Sequence, residues 1–407
     1  MRVFRMTIAI TMVLFVALPM VLIAGGGRES PAPDVTTVRL GLWGAEAAIN
    51  AYTENSRGIE EVYPGVRIDM QPSPSSQEFW NTLPGRIAAG TAPDILQLTN
   101  EGAFEYIEAG LFIPIGEILE AEGLSMDAFS ESALDIWSVD GELYGIPVSV
   151  GPAMFFINVD MWNEAGLGEY PTTWEEVEQA ARALTTSNRH GLIINIHPFH
   201  LTNYVLSHGG GWGYGRTIAS EANERGLNRV IRMFEEGIAV SPQQAGYGWD
   251  GEVFSNRAAA MSTGGHWYKA FLSNAAPDLN WVAIPMPQGG AIASTSHSEA
   301  IVVLRDAVDR SAAVKAAYYL AREQALENLM IKASINPARP SLSAQYYEVN
   351  PEFQAVQPYV QYGQDFGYPA ETSRFIDALV RAMEERILAG SGKPTREILA
   401  DLQRSFR

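Results

Sequence analysis

The chain contains no cysteine among its 407 residues, which excludes disulfides, thiolate metal centres and thiol nucleophiles. A thioether-linked lipid is excluded with them: Leu22-Ile23-Ala24 is the tripeptide that usually stands before a lipidated cysteine, but position 25 is Gly. Lysine is almost as scarce, confined to Lys269, Lys315, Lys332 and Lys393. Against 28 Lys+Arg stand 47 Asp+Glu, a formal net charge of −19. So acidic a chain offers no basic surface for nucleic acid or an anionic membrane, and no nucleic-acid partner is expected. Histidine is limited to six residues. His197 and His200 are three apart with Pro198 between them, and neither belongs to the helical pair with an intervening Glu that a zinc site needs. No metal and no cofactor are expected.

Catalytic motifs are missing too. Gly390-Ser391-Gly392-Lys393 imitates the end of a phosphate-binding loop, but Ile387 stands where the first glycine belongs and Pro394 follows the lysine. The glycines over 209–215 do not fit dinucleotide spacing, and no serine sits in a nucleophile elbow. No catalytic residue is expected, and the chain is read as a non-enzyme. A pair of carboxylates for glycoside cleavage is not readable from spacing, which leaves an exported glycoside hydrolase or lyase open as the rival reading.

What is present begins with an export signal. Arg2 and Arg5 precede an apolar stretch over 6–23 broken only by Thr7, Thr11 and Pro19. Residues 1–24 are read as a signal peptide and 25–34 as a flexible leader; the alternative for the first is an uncleaved anchor. On either reading the bulk of the protein lies outside the cytoplasm. With 47% hydrophobic residues, the remaining chain can bury real cores and is too long for one ordinary core, so two lobes are expected. Strands over 35–42, 66–70 and 95–98 alternate with helices over 45–61 and 77–89, the pattern of α/β layers around a largely parallel sheet. Thr173 and Glu176 form a capping box ahead of Val177, Ala180, Ala181 and Leu184 at helical spacing. Further long helices are expected over 311–330 and 373–389, the latter stopped at Gly390.

Three segments set aromatics among glycines: Gly209-Gly210-Gly211-Trp212-Gly213-Tyr214-Gly215, Gly246-Tyr247-Gly248-Trp249-Asp250-Gly251 and Gly264-Gly265-His266-Trp267-Tyr268. Glycine lets backbone turn sharply or approach a ligand. A tryptophan beside it offers a flat face and a polar edge suited to a pyranose ring. The alternative for any one of them is a packed loop.

Ala92-Pro93-Asp94-Ile95-Leu96, Glu108-Ala109-Gly110-Leu111-Phe112-Ile113-Pro114-Ile115 and Asp140-Gly141-Glu142-Leu143-Tyr144-Gly145-Ile146-Pro147 follow one another in an order that resembles the family 1 extracellular solute-binding proteins, the group that includes maltose-binding protein. The likeness continues through Phe156-Ile157-Asn158-Val159-Asp160-Met161-Trp162, Pro171-Thr172-Thr173-Trp174-Glu175-Glu176, Arg257-Ala258-Ala259-Ala260-Met261 with Gly265-His266-Trp267, and Ile335-Asn336-Pro337-Ala338-Arg339-Pro340-Ser341. It spans roughly 35–405. The resemblance implies a two-lobed periplasmic-binding-protein type II fold, α/β in both lobes, with hinge-linked lobes and a ligand cleft between them. Crossings are expected near 149–152, 290–294 and 343–351. They give an N-terminal lobe of 35–149 plus 293–344 and a C-terminal lobe of 150–292 plus 345–407. The implied function is capture of a mono- or oligosaccharide outside the cytoplasm and its delivery, by lobe closure, to the permease of an ABC importer. A monomer without covalent lipid is expected. A different small solute, such as a glycerol phosphate or an acidic sugar, is the alternative ligand.

The expected ligand-binding residues are Trp43, Glu46, Asn100, Glu101, His197, Phe199, Trp212, Trp249, Trp267 and Arg339. Trp43, Glu46, Asn100 and Glu101 follow strands, where ligands gather in α/β folds. Glu46 alternatively only complements a helix dipole, and Asn100 and Glu101 alternatively only cap a helix. His197 and Phe199 match in position a family segment that carries an aromatic and an acid, the acid being absent here. Trp267 ends a family segment associated with the binding site. Arg339 is either a clamp for hydroxyls or a structural arginine.

Overall fold

The computed structural model describes residues 35–390 and 392–406; the expected signal peptide and leader lie outside them. Val38, Leu40 and Leu42 alternate inward along Thr36–Leu42 and are fully buried, as are Ile95, Leu96 and Leu98 of Ile95–Thr99. Thr36–Leu42 pairs in parallel with both Val66–Pro72 and Ile95–Thr99. The long strand Ser294–Val303 then adds on antiparallel to Ile95–Thr99, and Gly145–Pro152 pairs antiparallel with its other side. Gly363–Gln364 completes this sheet at the start of Ser294–Val303. A second sheet has the order Trp281–Pro285, Met154–Asn158, Ala259–Gly264, His190–Ile193 and Ala239–Val240. Its first two pairings are antiparallel and its last two parallel. Both sheets are therefore mixed, whereas alternation along the sequence suggests largely parallel ones. The antiparallel members are the strands flanking the passages from one sheet to the other.

Gly145–Pro152 in the first sheet runs on past Ala153 into Met154–Asn158 in the second, and Trp281–Pro285 in the second returns as Ser294–Val303 in the first. The two passages are tied to each other, Pro152 opposite Ser296 and the Ala153 N–H donating to the Thr295 carbonyl. One buried cluster extends from Val38 and Ile146 of the first sheet to Phe156 of the second and Tyr268 packed on it, and includes Tyr346 and Phe353. A second cluster, around Trp174, Tyr204 and Phe375, underlies the second sheet alone.

The helices follow their sequence signals with two corrections. The capping box at Thr173 opens Trp174–Leu184 as expected, and Ser76–Ala88 and Thr372–Ile387 occupy the expected helical stretches. The helix expected over 45–61 is broken, because Gly58 takes a left-handed φ of 77° between Glu46–Asn55 and Ile59–Val62. The helix expected over 311–330 is two, Arg310–Leu320 and Glu323–Ala333. Arg322 is extended between them, its guanidinium lying 3.7 Å from the Tyr319 ring and donating to the Asn55 and Tyr319 carbonyls.

Candidate functional site

Three strand ends converge. Ile95–Thr99 leads directly into the helix Asn100–Glu108, His190–Ile193 leads to the helix Pro198–Ser207 capped by His197, and Ala259–Gly264 leads to the helix Trp267–Ala275. Ligands collect at such carboxyl ends because the helix starts that follow expose unpaired N–H groups and side chains to one crevice.

At this meeting the Trp267 ring lies between Phe199, at 5.3 Å, and His297, at 4.7 Å, with His266 at 5.4 Å. Phe199 also turns an edge to His200 at 5.1 Å. Across from this aromatic group stands Glu101, whose Oε1 is buried without a hydrogen-bond partner and lies 3.8 Å from His197 Nδ1. Burial pushes the Glu101 carboxyl up to about 7, against the opposing effect of the Phe199 N–H. A second acid, Glu299 on the strand Ser294–Val303 inside the first sheet, is likewise raised to about 7 by burial, against Gln97 and Ser149.

Behind the aromatic group, Asp250 is fixed from three sides. Asn195 Nδ2 donates to its Oδ1 at 2.7 Å, His200 Nε2 lies 3.3 Å from the same oxygen, and the Tyr268 hydroxyl donates to Oδ2 at 2.5 Å. Burial alone would raise this carboxyl; the charge and hydrogen bond of His200, with Tyr268 and Asn195, outweigh it and hold the group at about 2. The network fixes His200, whose ring meets Phe199 edge-on, and Phe199 in turn flanks Trp267. Burial lowers His266 to about 4, and burial followed by the nearby His266 lowers His297 to about 3. His197 is half exposed at its side chain, yet the surrounding cleft walls, and then His200, lower it as well. Burial thus keeps His266 and His297, the imidazoles beside Trp267, neutral at neutral pH.

The site continues into a cavity of about 280 Å³ between Asn100–Glu108 and the segment around Phe366, lined in part by Glu101, Tyr214, Asp365, Phe366 and Tyr368. A further opening lies on the other side of Tyr214 and Asp365, along the glycine loop.

The expected site residues divide into two groups. Glu101, His197, Phe199 and Trp267 are brought together. Asn100 borders the cavity, but its amide is committed to the backbone, donating to the Ser296 carbonyl at 3.1 Å and accepting from the Ser298 N–H at 3.0 Å. Trp43 packs instead on Phe79 and Trp80, at 4.6 and 5.7 Å, and Glu46 is an exposed first-turn residue of Glu46–Asn55. Trp249 packs on Phe271 and Tyr268. Trp212 is fully buried, its indole N–H donated to Thr202 Oγ1 at 2.9 Å and its ring edge-on to Phe375. Arg339 is buried, lies 4.2 Å from the Phe129 ring and donates to the Ala321 carbonyl. The glycines beside Trp249 and Trp267 have a packing reason: a Cβ on Gly251 would sit 2.1 Å from the Trp249 ring, and one on Gly265 2.3 Å from the Trp267 ring. Each indole folds over glycine backbone that no larger residue leaves free.

His297, Asp250, Tyr214, Asp365, Phe366 and Tyr368 border the site without having been expected there. The glycine-flanked segments contained Tyr214 and Asp250; nothing local in sequence marks the others. Among the described residues no group of three or more His, Cys, Asp or Glu is arranged to hold a metal ion, and no helix is long and apolar enough to cross a membrane.

Residues 43–327 match the family model of the bacterial extracellular solute-binding proteins. The chain is 31% identical over 163 residues to an osmoprotective compounds-binding protein of Synechocystis, a match spanning 39% of this chain and only 35% of that protein. It is 22% identical over 296 residues to a galactooligosaccharide-binding protein of Bacillus subtilis, spanning 68% of this chain and 67% of the other. Its fold is similar to that of an ABC substrate-binding protein from Listeria monocytogenes solved with cycloalternan, with a TM-score of 0.82, 20% identity, and 92% and 98% of the two chains covered. It is also similar to maltose-bound MalE3 of T. maritima, with a TM-score of 0.78, 16% identity, and 91% and 98% covered. These neighbours are two-lobed α/β binding proteins, the architecture described above, and the match to the family model covers well over half of the sequence. The chain belongs to the bacterial extracellular solute-binding protein family and is a binding protein rather than an enzyme.

Proposed function

We propose that the protein captures a carbohydrate between two lobes outside the cytoplasm and hands it to the permease of an ABC importer. The observation that carries this reading is Trp267 flanked by Phe199 and His297, with Glu101 accepting from the Phe199 N–H and keeping a buried Oε1 free of hydrogen bonds. Aromatic faces take the C–H side of a sugar ring while a buried acceptor takes hydroxyl protons. The neutral state of His266 and His297, the imidazoles beside Trp267, weighs against a phosphate or acidic sugar. Relatives named for galactooligosaccharide, arabinooligosaccharide and maltodextrin binding support the ligand class. A family that binds solutes leaves the glycoside hydrolase or lyase reading without support.

On this proposal the lobes are 35–149 with 293–344 and 150–292 with 345–407, and ligand closes them about the strand passages. The protein acts as a monomer, delivered by its N-terminal signal and held without lipid. A thermal-shift screen against mono-, di- and oligosaccharides, polyols and glycerol phosphates tests the ligand class, since a solute that binds only the folded state raises the melting temperature by mass action. A rise with oligosaccharides is expected. A rise with glycerol phosphates and none with any sugar would overturn the proposal.

A further inference from the structure

The cavity beside Glu101 has a one-sided chemistry. Three acidic side chains line it, Glu101 deep within and Asp135 and Asp365 more exposed, and among the described residues no lysine, arginine or histidine does. The rings of Phe104, Tyr214, Phe366 and Tyr368 also line it, with Phe366 and Tyr368 stacked at 5.2 Å.

Several of its side-chain donors already bond within the protein. Asn100 donates to the Ser296 carbonyl, the Trp137 indole to Ser298 Oγ, the Ser138 hydroxyl to the Leu134 carbonyl and the Thr372 hydroxyl to the Pro369 carbonyl. The Tyr214 hydroxyl donates to Asp365 Oδ2 at 3.2 Å, and the Tyr368 hydroxyl is shared with Thr202 at 3.1 Å. Acceptors stay open beside them: Oε1 of Glu101 is buried with no hydrogen-bond partner, and among the described residues none bonds to the carboxylate of Asp135. A positively charged nitrogen only donates or, when quaternary, only attracts, and both carboxylates and ring faces favour it.

We propose that this cavity recognises a positively charged nitrogen, an amine or quaternary ammonium carried by the solute. The inference deepens the carbohydrate reading and rests on it, in that the cationic group and the ring stacked on Trp267 belong to one solute.

The test is a set of calorimetric titrations at neutral pH with choline chloride and with the pair glucosamine and glucose, which differ only in an amino group. Glucosamine is expected to bind at least tenfold more tightly than glucose, choline to bind measurably, and both cations to weaken as sodium chloride is raised. Binding of choline but no preference for glucosamine assigns the cavity to quaternary ammonium; the reverse assigns it to an amino sugar. Asp365→Asn, at an exposed position, should reduce glucosamine binding at least tenfold more than glucose binding, and Glu101→Gln should do the same from inside the cavity. Equal binding of glucosamine and glucose together with no choline binding overturns the proposal. If neutral oligosaccharides then still bind in a Trp267-dependent way, the carbohydrate reading stands alone; if the cations bind and no neutral sugar does, the carbohydrate reading is the one that falls.

Discussion

Glu101 holds its proton more tightly in the folded chain than in the unfolded one, because burial raises its carboxyl from an ordinary 4.5 to about 7. Below pH 4.5 both states are protonated and the group is neutral for stability. As pH rises from 4.5 to 7 the unfolded state ionises first, and folding loses free energy through that window, by at most about 3 kcal/mol when both states are ionised. Glu101→Gln removes the titration. Its melting temperature minus that of the wild type, measured by calorimetry without ligand, should grow from pH 4.5 to 7.5; a constant or shrinking difference would contradict the buried carboxyl. The histidines act in the opposite sense, since His266 and His297 resist protonation and cost stability as pH falls below 6.5; comparing single-residue variants separates the two effects. Glu101 was legible in the sequence from its place after a strand, and Phe199 and Trp267 from the family segments they resemble, Trp267 with glycines beside it. Tyr214 and Asp365 were not, being 151 residues apart and joined only by folding. Trp212 and Trp267 look alike among their glycines, and only packing tells a sealed indole from one in the site.

Elements are seated by contacts as close as those at the site. Gly191 in His190–Ile193 lies against the helix Trp174–Leu184 so tightly that a Cβ would stand 2.3 Å from the Ala181 carbonyl oxygen. Backbone cannot turn aside as a flexible side chain does. Gly191→Ala should therefore destabilise the protein by about 2 kcal/mol, within the usual cost of overpacking, read as a lower midpoint in urea unfolding; an unchanged midpoint would show that helix and strand separate freely. The element order was largely legible, since capping box, periodicity and strand runs are local signals. Direction within the sheets was not, because Ser294–Val303 and Met154–Asn158 owe their antiparallel pairing to the chain's passage between sheets. The break at Arg322 was hidden for a related reason: a helix-forming residue is held extended by bonds to Asn55, which is 267 residues away.

For the whole molecule, the account requires that ligand favour a state in which the two strand-linked lobes are drawn together, and only differential affinity for that state can drive the change. Small-angle scattering should report a smaller radius of gyration with saturating oligosaccharide than without; an unchanged radius at proven occupancy would argue for a rigid pocket. The most direct test of capture by stacking is calorimetric titration of the wild type and Trp267→Ala with the best-binding neutral sugar at low and high salt. The account predicts a loss of about 2 kcal/mol, roughly 30-fold, in the variant, and little salt dependence for the neutral sugar. An unaffected variant would contradict it.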